Sequence, residues 1–581
     1  MKITNKIILF TFSILLIACK GDLLNLNPHG EVGSELMWTT ENLADQGVNG
    51  VYNALRYSTV GHIFYQSNYS VDTDKRDPDD AILLNKASTG TGIFRNTWQQ
   101  HYEGIHRAND AIVNLPSSPL TEEKKARLIA ESKFLRAFFY YRLNALYKGV
   151  PLYLEPVQPS QANKPRETEA KIWEVVIQDL TDCINTAPLP NKYDKGDAGF
   201  GRITKGAAYA LRGKTYLYLK EWAKAEADFK KVGECGYKLY QGDYKQLFKE
   251  SNEQSDEMIL SVQEIGLPGQ GTELPLRYGG RNTFQQGWNT FLPNTDFVNS
   301  YTYADGKPFD WADLFPEWDQ MKVNERAVFF YRNNLTESEK QHLTATQKVD
   351  FTHYLENGNE ERLLQAYTNR DPRLTATIIT PYSEYLGSIS NNDVVVTLRW
   401  PYRIDTEDPH DLRTDTNNRF YYLYRKFVPE GTSEIPNRSY SPIDFPLIRY
   451  ADVLLNLAEA LNEQGKTTEA IECVNLVRAR AGVAELNSNQ FTQVLDQDDL
   501  RAKIQQERRW EFNGEAVTFY DELRWDTWKE TKFFEGAGLK QIWGQTQYSY
   551  SWGGDELYQW PVPKVEKERN DNLEQSPGWV D

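Results

Sequence analysis

Apolar residues fall along this chain in three textures. At the front, Ile7 to Ile17 is an uncharged, mainly apolar run behind Lys2 and Lys6. Through residues 41–250, and again from 441 onward, apolar side chains recur every three or four positions, the period of a helix with one buried face. Leu43, Val48, Val51 and Leu55 follow it, as do Tyr102, Ile105, Ala108 and Ile112. Thr121-Glu122-Glu123 is an N-cap with acidic first-turn residues and predicts a helix running to Tyr147, stopped by Gly149-Val150-Pro151. Lys171 to Ala187 predicts another, ended by Pro188 and Pro190. In residues 251–440 the helical period is lost. Met258 to Gln263 alternates like a strand, Val394 to Leu398 and Phe420 to Phe427 are short strand candidates, and the remainder reads as glycine- and aromatic-rich loop.

Two of the helical blocks resemble each other. Tyr209, Gly213, Tyr216, Ala225 and Phe229 stand at the offsets of a tetratricopeptide helix pair, with Arg212 where that pattern prefers Leu. Leu454, Leu457, Ala458, Leu461, Gly465, Ala470 and Val474 repeat the arrangement. Fewer than about three stacked pairs are marginal, so the helices around 98–147 and 171–187 are the natural additional members. The expected fold is mainly α: tetratricopeptide-like helix pairs forming a solenoid-like body, with a large irregular insert containing short strands.

The apolar front run is about half the length of a spanning helix, and its layout is that of a removable signal peptide over residues 1–18. Leu16-Ile17-Ala18-Cys19 resembles a bacterial lipobox. That resemblance implies cleavage before Cys19 and a diacylglycerol thioether on it. More than one acyl chain makes a stable anchor. Residues 19–40 then read as a tether. The expected divisions beyond it are a helical region over 41–250, a loop-rich insert bearing the ligand face over 251–440, and a C-terminal helical region with its tail over 441–581.

Composition narrows the function. A net charge of −17 argues against a nucleic-acid role, which needs a basic footprint. Tyr (34) and Trp (15) exceed what packing alone requires and hint at a surface that stacks on something. Beside Cys19 stand only Cys183, Cys235 and Cys473, with no zinc or disulfide spacing, although one bridge among the three stays open. Asp72-Thr73-Asp74 suggests calcium, but Asp77 and Leu83 occupy the positions where an EF-hand loop requires Gly and Glu. This leaves an irregular Ca²⁺ site as an alternative. Gly213-Lys214-Thr215 and Gly465-Lys466-Thr467 lack the leading glycine of a phosphate loop and sit in helix pairs. No HExxH or GxSxG motif occurs, and no metal or cofactor is expected.

Two stretches carry the mixture that sugars need: flat rings for C–H faces, planar polar groups for hydroxyls. The first is Tyr65, Tyr69, Asp72 and Arg76, with Asp74 between them. The second is Tyr278, Arg281, Asn282, Phe284, Trp288 and Asn289, with Trp311 and Trp318 further on. The competing reading is that each aromatic only pins its own loop, since large rings usually bury.

From end to end the chain resembles the SusD/RagB family of outer-membrane nutrient-binding lipoproteins. The stretches that carry the resemblance include Ala130-Glu-Ser-Lys-Phe-Leu-Arg-Ala137, Asn369-Arg-Asp371-Pro-Arg373-Leu, Asp444-Phe-Pro-Leu-Ile-Arg449, Asn475-Leu-Val-Arg478, Glu507-Arg-Arg-Trp510-Glu-Phe and Trp560-Pro-Val-Pro563. The resemblance implies a lipid-anchored, cell-surface protein of the outer membrane that binds oligosaccharides, or in some members peptides, without catalysis. It also implies a TonB-dependent, SusC-like transporter as partner. Arg449 and Arg478 read as packing or ion-pair residues rather than ligands. The rival class is a surface glycoside hydrolase with a carboxylate pair; a pure scaffold would bind no ligand at all.

Overall fold

The computed structural model describes residues 34–403, 410–414 and 419–580. The expected signal peptide, Cys19 and most of the tether lie outside the described residues. Helices α1 (Glu41–Asn53), α2 (Gly92–Asn114), α3 (Glu122–Tyr147), α4 (Glu169–Asn185), α5 (Lys205–Tyr218) and α6 (Trp222–Glu234) pack in series, each on the next. Helix α6 then meets α7 (Tyr450–Glu463), which pairs with α8 (Thr467–Ala481) and with α9 (Gln497–Glu511). The two repeat blocks are therefore neighbours in the stack, although about 200 residues separate them in sequence. The mainly α, tetratricopeptide-like architecture is the one the periodicity predicts.

Local chemistry explains the pieces. Thr121 accepts the Lys124 N–H at 3.3 Å to cap α3, and Lys148 ends it in a left-handed turn at φ 48°. From Phe134 to Tyr147 every residue of α3 is buried, because α2, α4 and α10 (Val517–Trp525) surround it. A helix packed on all sides loses its polar face. Close approach rests on glycine: a Cβ on Gly213 would stand 2.6 Å from the Phe229 ring, and one on Gly104 2.6 Å from Phe139. Lys214, the lysine of the rejected phosphate loop, pairs with Asp452 at 2.6 Å.

Short strands thread the insert and its surroundings. The longer ones are β1 (Thr73–Lys75), β2 (Met258–Val262), β3 (Phe291–Pro293), β4 (Glu384–Ile389), β5 (Asn392–Thr397), β6 (Phe445–Arg449), β7 (Gly538–Lys540) and β8 (Thr546–Ser549), beside two-residue strands such as Leu423–Tyr424. Strands β2 and β6 pair antiparallel and bring the two ends of the insert together. The strand expected over Phe420 to Phe427 shrinks to Leu423–Tyr424, and Phe427 sits at φ 62°. That apolar run records burial on all sides rather than an extended backbone. The three described cysteines are free, and Cys183 is buried with its thiol donating to the Ala130 carbonyl.

A buried ionic network joins insert to body. Arg449 at the end of β6 binds Glu257, Glu511 at 3.0 Å and Glu515 at 2.7 Å. Arg373 in the insert binds Asp371, Glu507 and Glu511 at 2.7–3.1 Å. Arg480 joins Glu257 to Glu511, Arg478 holds Glu507, and Lys426 holds Glu515. Arg449 and Arg478 are thus ion-pair residues, as their positions in the sequence suggest. Burial alone would raise the Glu511 carboxyl, but Arg480, Arg449 and Arg373 outweigh it and hold it at about 2.

Replacing Glu511 by Gln leaves buried guanidinium groups uncompensated and is expected to cost about 3–5 kcal/mol at neutral pH. A carboxyl held below its ordinary 4.5 stabilises the fold above that pH, and the benefit fades as pH falls toward about 2. The gap between wild type and Glu511→Gln in thermal denaturation should therefore shrink over that acid window.

Candidate functional site

The exposed aromatic of the second stretch is Trp288, 41% accessible at the tip of the loop between Tyr278 and β3. Its backbone is held from several sides. The Trp288 N–H donates to Leu276 O at 2.7 Å, the Asn289 N–H donates to Gly279 O at 2.8 Å, and Arg76 Nη1 donates to Trp288 O at 2.6 Å. Gln285, Gln286 and Asn289 all lie at positive φ (59°, 67° and 38°). Such a conformation persists only when its surroundings over-determine it. Arg438, from the far end of the insert, supplies part of that constraint by donating to the carbonyls of Gln285 and Gln286.

Cations flank the indole. The guanidinium carbons of Arg277 and Arg438 lie 5.3 and 5.9 Å from the Trp288 ring centre. Arg277 also stands 5.5 Å from the Tyr65 ring, and Glu273 accepts from both Tyr65 (2.7 Å) and Arg277 (2.8 Å). Burial and the bond to Glu273 push the Tyr65 hydroxyl up to about 12, so it stays protonated. Arg281 is half-buried beside them. Burial, then the charges of Arg76 and Arg438, lower its pKa from the ordinary value. Phe284 is half-buried and packs against the core. Together Tyr65, Arg76, Arg277, Arg281, Trp288 and Arg438 form an aromatic and basic face on the insert.

Other expected contacts are interior residues. Tyr69 is 3% exposed and donates to Asp80; Asp72 is fully buried and accepts from Gly514 N, Thr518 and Thr73. Tyr278 is fully buried, stacks on Tyr424 with ring centres 4.6 Å apart, and donates to Gly514 O. Asn289 is likewise buried. Trp311 and Trp318 are stacked 5.0 Å apart within a cluster that includes Phe315, Phe329 and Phe330. For Tyr69, Asp72, Tyr278, Asn289 and Trp311 the expectation of ligand contact is therefore corrected: each is a buried residue engaged by its protein neighbours, Tyr69 and Asp72 ahead of the insert and the other three within it. The calcium alternative falls with them. Asp72 and Asp74 are engaged by protein donors, Asp74 by Lys532, Tyr550 and Asn294, and no group of three or more potential ligands stands together among the described residues.

Sequence reading missed Arg277, Arg438 and Glu273. Arg277 sits next to Tyr278 and could have been included with it. Arg438 lies about 150 residues from its loop, and nothing local signals the contact.

A tetratricopeptide-like stack carrying a looped excursion with an exposed indole defines a helical-repeat protein with an aromatic and basic face on its insert. The chain belongs to the SusD family, whose model matches residues 248–579. A second model, described as "Starch-binding associating with outer membrane", matches residues 24–217. SusD-like protein P38 of Formosa agariphila is 24% identical over 553 residues, covering 89% of this chain and 91% of that protein. The starch-binding protein SusD of Bacteroides thetaiotaomicron is 28% identical over 179 residues, 30% of this chain and 29% of its own length. Among solved structures, a SusD-like protein of Bacteroides fragilis superposes with a TM-score of 0.72 at 23% identity, over 95% of this chain and all of that one. A laminarin-binding SusD-like protein superposes at 0.63 and 22%, over 93% of this chain and all of that one. These structural likenesses establish the fold. No helix among the described residues is long and apolar enough to cross a membrane.

Trp311→Ala should lower stability by about 3–5 kcal/mol, the cost of emptying a large aromatic site in a core, measured by denaturant unfolding. A ligand-contact role would instead leave the unfolding midpoint in place.

Proposed function

We propose that this protein binds an oligosaccharide without turning it over, at the face around Trp288. The observation that carries the reading is the exposed indole on an over-determined loop, flanked by Arg277 and Arg438. A pyranose C–H face stacks on such a ring, and guanidinium donors beside it replace the water its hydroxyls lose. Related proteins described as starch-binding and laminarin-binding favour a glycan as the occupant.

A hydrolytic reading finds less support. A glycosidase acid needs a raised pKa, whereas the hydrogen bond from Arg76 holds Asp77, one of the carboxylates beside this face, below its usual range. Glu253 and Asp444, a neighbouring carboxyl pair, do have raised values, about 8 for Glu253, with burial the largest cause for both. Asp444 accepts from the Glu264 N–H and from Gln263, so its oxygens join the two ends of the insert.

The wider reading is of a cell-surface lipoprotein, tied to the outer membrane through Cys19 and passing its glycan to a TonB-dependent, SusC-like transporter. The lipobox order and the outer-membrane description of the matching family model support it. Calorimetry against laminari-, malto- and xylogluco-oligosaccharides, with a parallel assay for new reducing ends, tests the binding reading. Binding without new ends is expected, and Trp288→Ala should weaken it about tenfold or more, with the far-UV circular dichroism unchanged. Steady release of reducing ends would replace the receptor with an enzyme. Cys19→Ser should move the protein out of the membrane fraction, and retention there would refute the lipid anchor.

A further inference from the structure

A groove of about 450 Å³ runs along α2, between that helix, the segment 151–162 and the tail around 566–573. Trp98, Ile105, Tyr153 and Leu573 give it a mainly apolar wall. Several polar side chains along it are already engaged by the protein. Gln99 donates to Glu566 at 2.8 Å, Asn109 to the Tyr153 carbonyl at 2.9 Å, and Asn570 to the Lys164 carbonyl at 2.9 Å. Tyr102 donates to the Pro151 carbonyl at 2.6 Å, and the Tyr153 hydroxyl accepts the Lys164 N–H at 3.1 Å. The charged or titratable groups that line it, His106, Glu155 and Arg569, are exposed. Such a wall suits hydrophobic side chains better than a sugar, whose hydroxyls need partners once they leave water.

The chain ahead of the described residues ends beside this groove. The first described helix, Ser34–Met37, leads into Trp38, whose Nε1 donates to Asp110 at 3.1 Å. Asp110 and His106 are four residues apart and share one stripe of α2, and His106 lines the groove. From Ser34 back to Leu26 is about 26–29 Å of extended chain. From Asp110 to Trp98 is about 18 Å of helix. The segment ahead of Ser34 therefore reaches the whole groove.

That segment carries Leu23, Leu24, Leu26 and Pro28. In an extended chain residues two apart share a face, as Leu24 and Leu26 would, and Pro28 favours an extended residue before it. The family model described by its outer-membrane association begins its match at residue 24, ahead of the first described helix. A match that starts there takes in Leu24 and Leu26 with the domain and not as an added linker.

We propose that the segment Leu23 to Leu26 of this chain seats in the groove along α2. Once seated, it leaves about 13 Å of chain between Cys19 and Leu23. On the lipoprotein reading of Cys19, which supplies the membrane but not the docking, the groove side of the helical stack then lies against the bilayer. The tether is a short mount with a set orientation rather than a leash on which the body turns freely.

The test uses the soluble mature chain from Lys20 onward, so loss of the lipid anchor is not mistaken for loss of docking. Leu24→Asp with Leu26→Asp is compared with wild type by hydrogen exchange. Amides of 151–162 and 566–573 should exchange about tenfold or more faster in the double variant, with the rest of the molecule unmoved. A labelled peptide of residues 20–29 should bind the double variant but not wild type, whose groove is filled from its own chain. Val157 lines the groove and is half-buried, so adding Val157→Asp to the double variant should abolish peptide binding. Unchanged exchange, or a peptide that binds wild type and variant alike, overturns the seat. Peptide binding indifferent to Val157→Asp places the peptide elsewhere and also overturns it. Protection of the same amides by laminarihexaose, or by raised protein concentration, assigns the groove to a sugar or to a second copy and replaces the tether as its occupant. Docking that holds while Cys19→Ser stays in the membrane fraction keeps the groove assignment and removes only the lipid mount.

Discussion

The structure depends on a set of charges kept almost entirely from water. Arg449 is 1% exposed and Arg373 is not exposed at all, and between them they contact Glu257, Asp371, Glu507, Glu511 and Glu515. An ion buried this deeply is tolerable only when each partner is in place, because removing one leaves an uncompensated charge in low dielectric. The contacts come from Glu257 just before β2, from Asp371 in the insert, from Glu507 and Glu511 in α9 and from Glu515 in the turn after it, positions spread over about 260 residues. The constraint is therefore one of register: the insert seats on the helical stack in the arrangement that closes all of these pairs together.

The proposed binding face is mounted directly on that clamp. Glu511 and Glu515 bracket Gly514, whose carbonyl accepts from Tyr278 and whose N–H donates to Asp72. Tyr278 begins the loop that ends at Trp288, and Asp72 precedes the strand that reaches Arg76. The path from the buried ions to the exposed indole is thus a few residues long and passes through groups with complete hydrogen bonding. Under the proposed function, such support would hold Trp288 in place before a ligand arrives and so limit the ordering cost of binding.

The aromatic excess in the composition divides into two populations. Trp311, Trp318, Phe315, Phe329 and Phe330 pack on one another within the insert and are continuous with the rest of the hydrophobic core. Trp288 alone of the proposed rings is substantially exposed, while Tyr65 and Phe284 are half-buried. The reading that rings pin their own loops is right for most of them, and the reading that a ring faces a ligand is retained as a proposal at the one exposed loop tip. The two patterns look alike in sequence because both consist of Trp and Tyr among Gly, Asn and Gln.

What the sequence determined by itself was everything with a short period or a local chemical cause. The helices and their caps follow from spacing within one or two turns, the Gly213–Phe229 contact from a repeat offset, and the family from motifs in chain order. What tertiary structure decided was which side chains see solvent. Tyr278 is buried because Tyr424 lies on it, and Asp72 because Gly514 and Thr518 reach it. Burial is set by whatever packs on a residue, and here those partners come from as far as about 440 positions along the chain. A local pattern carries no record of them, so it can name the loop but not the face.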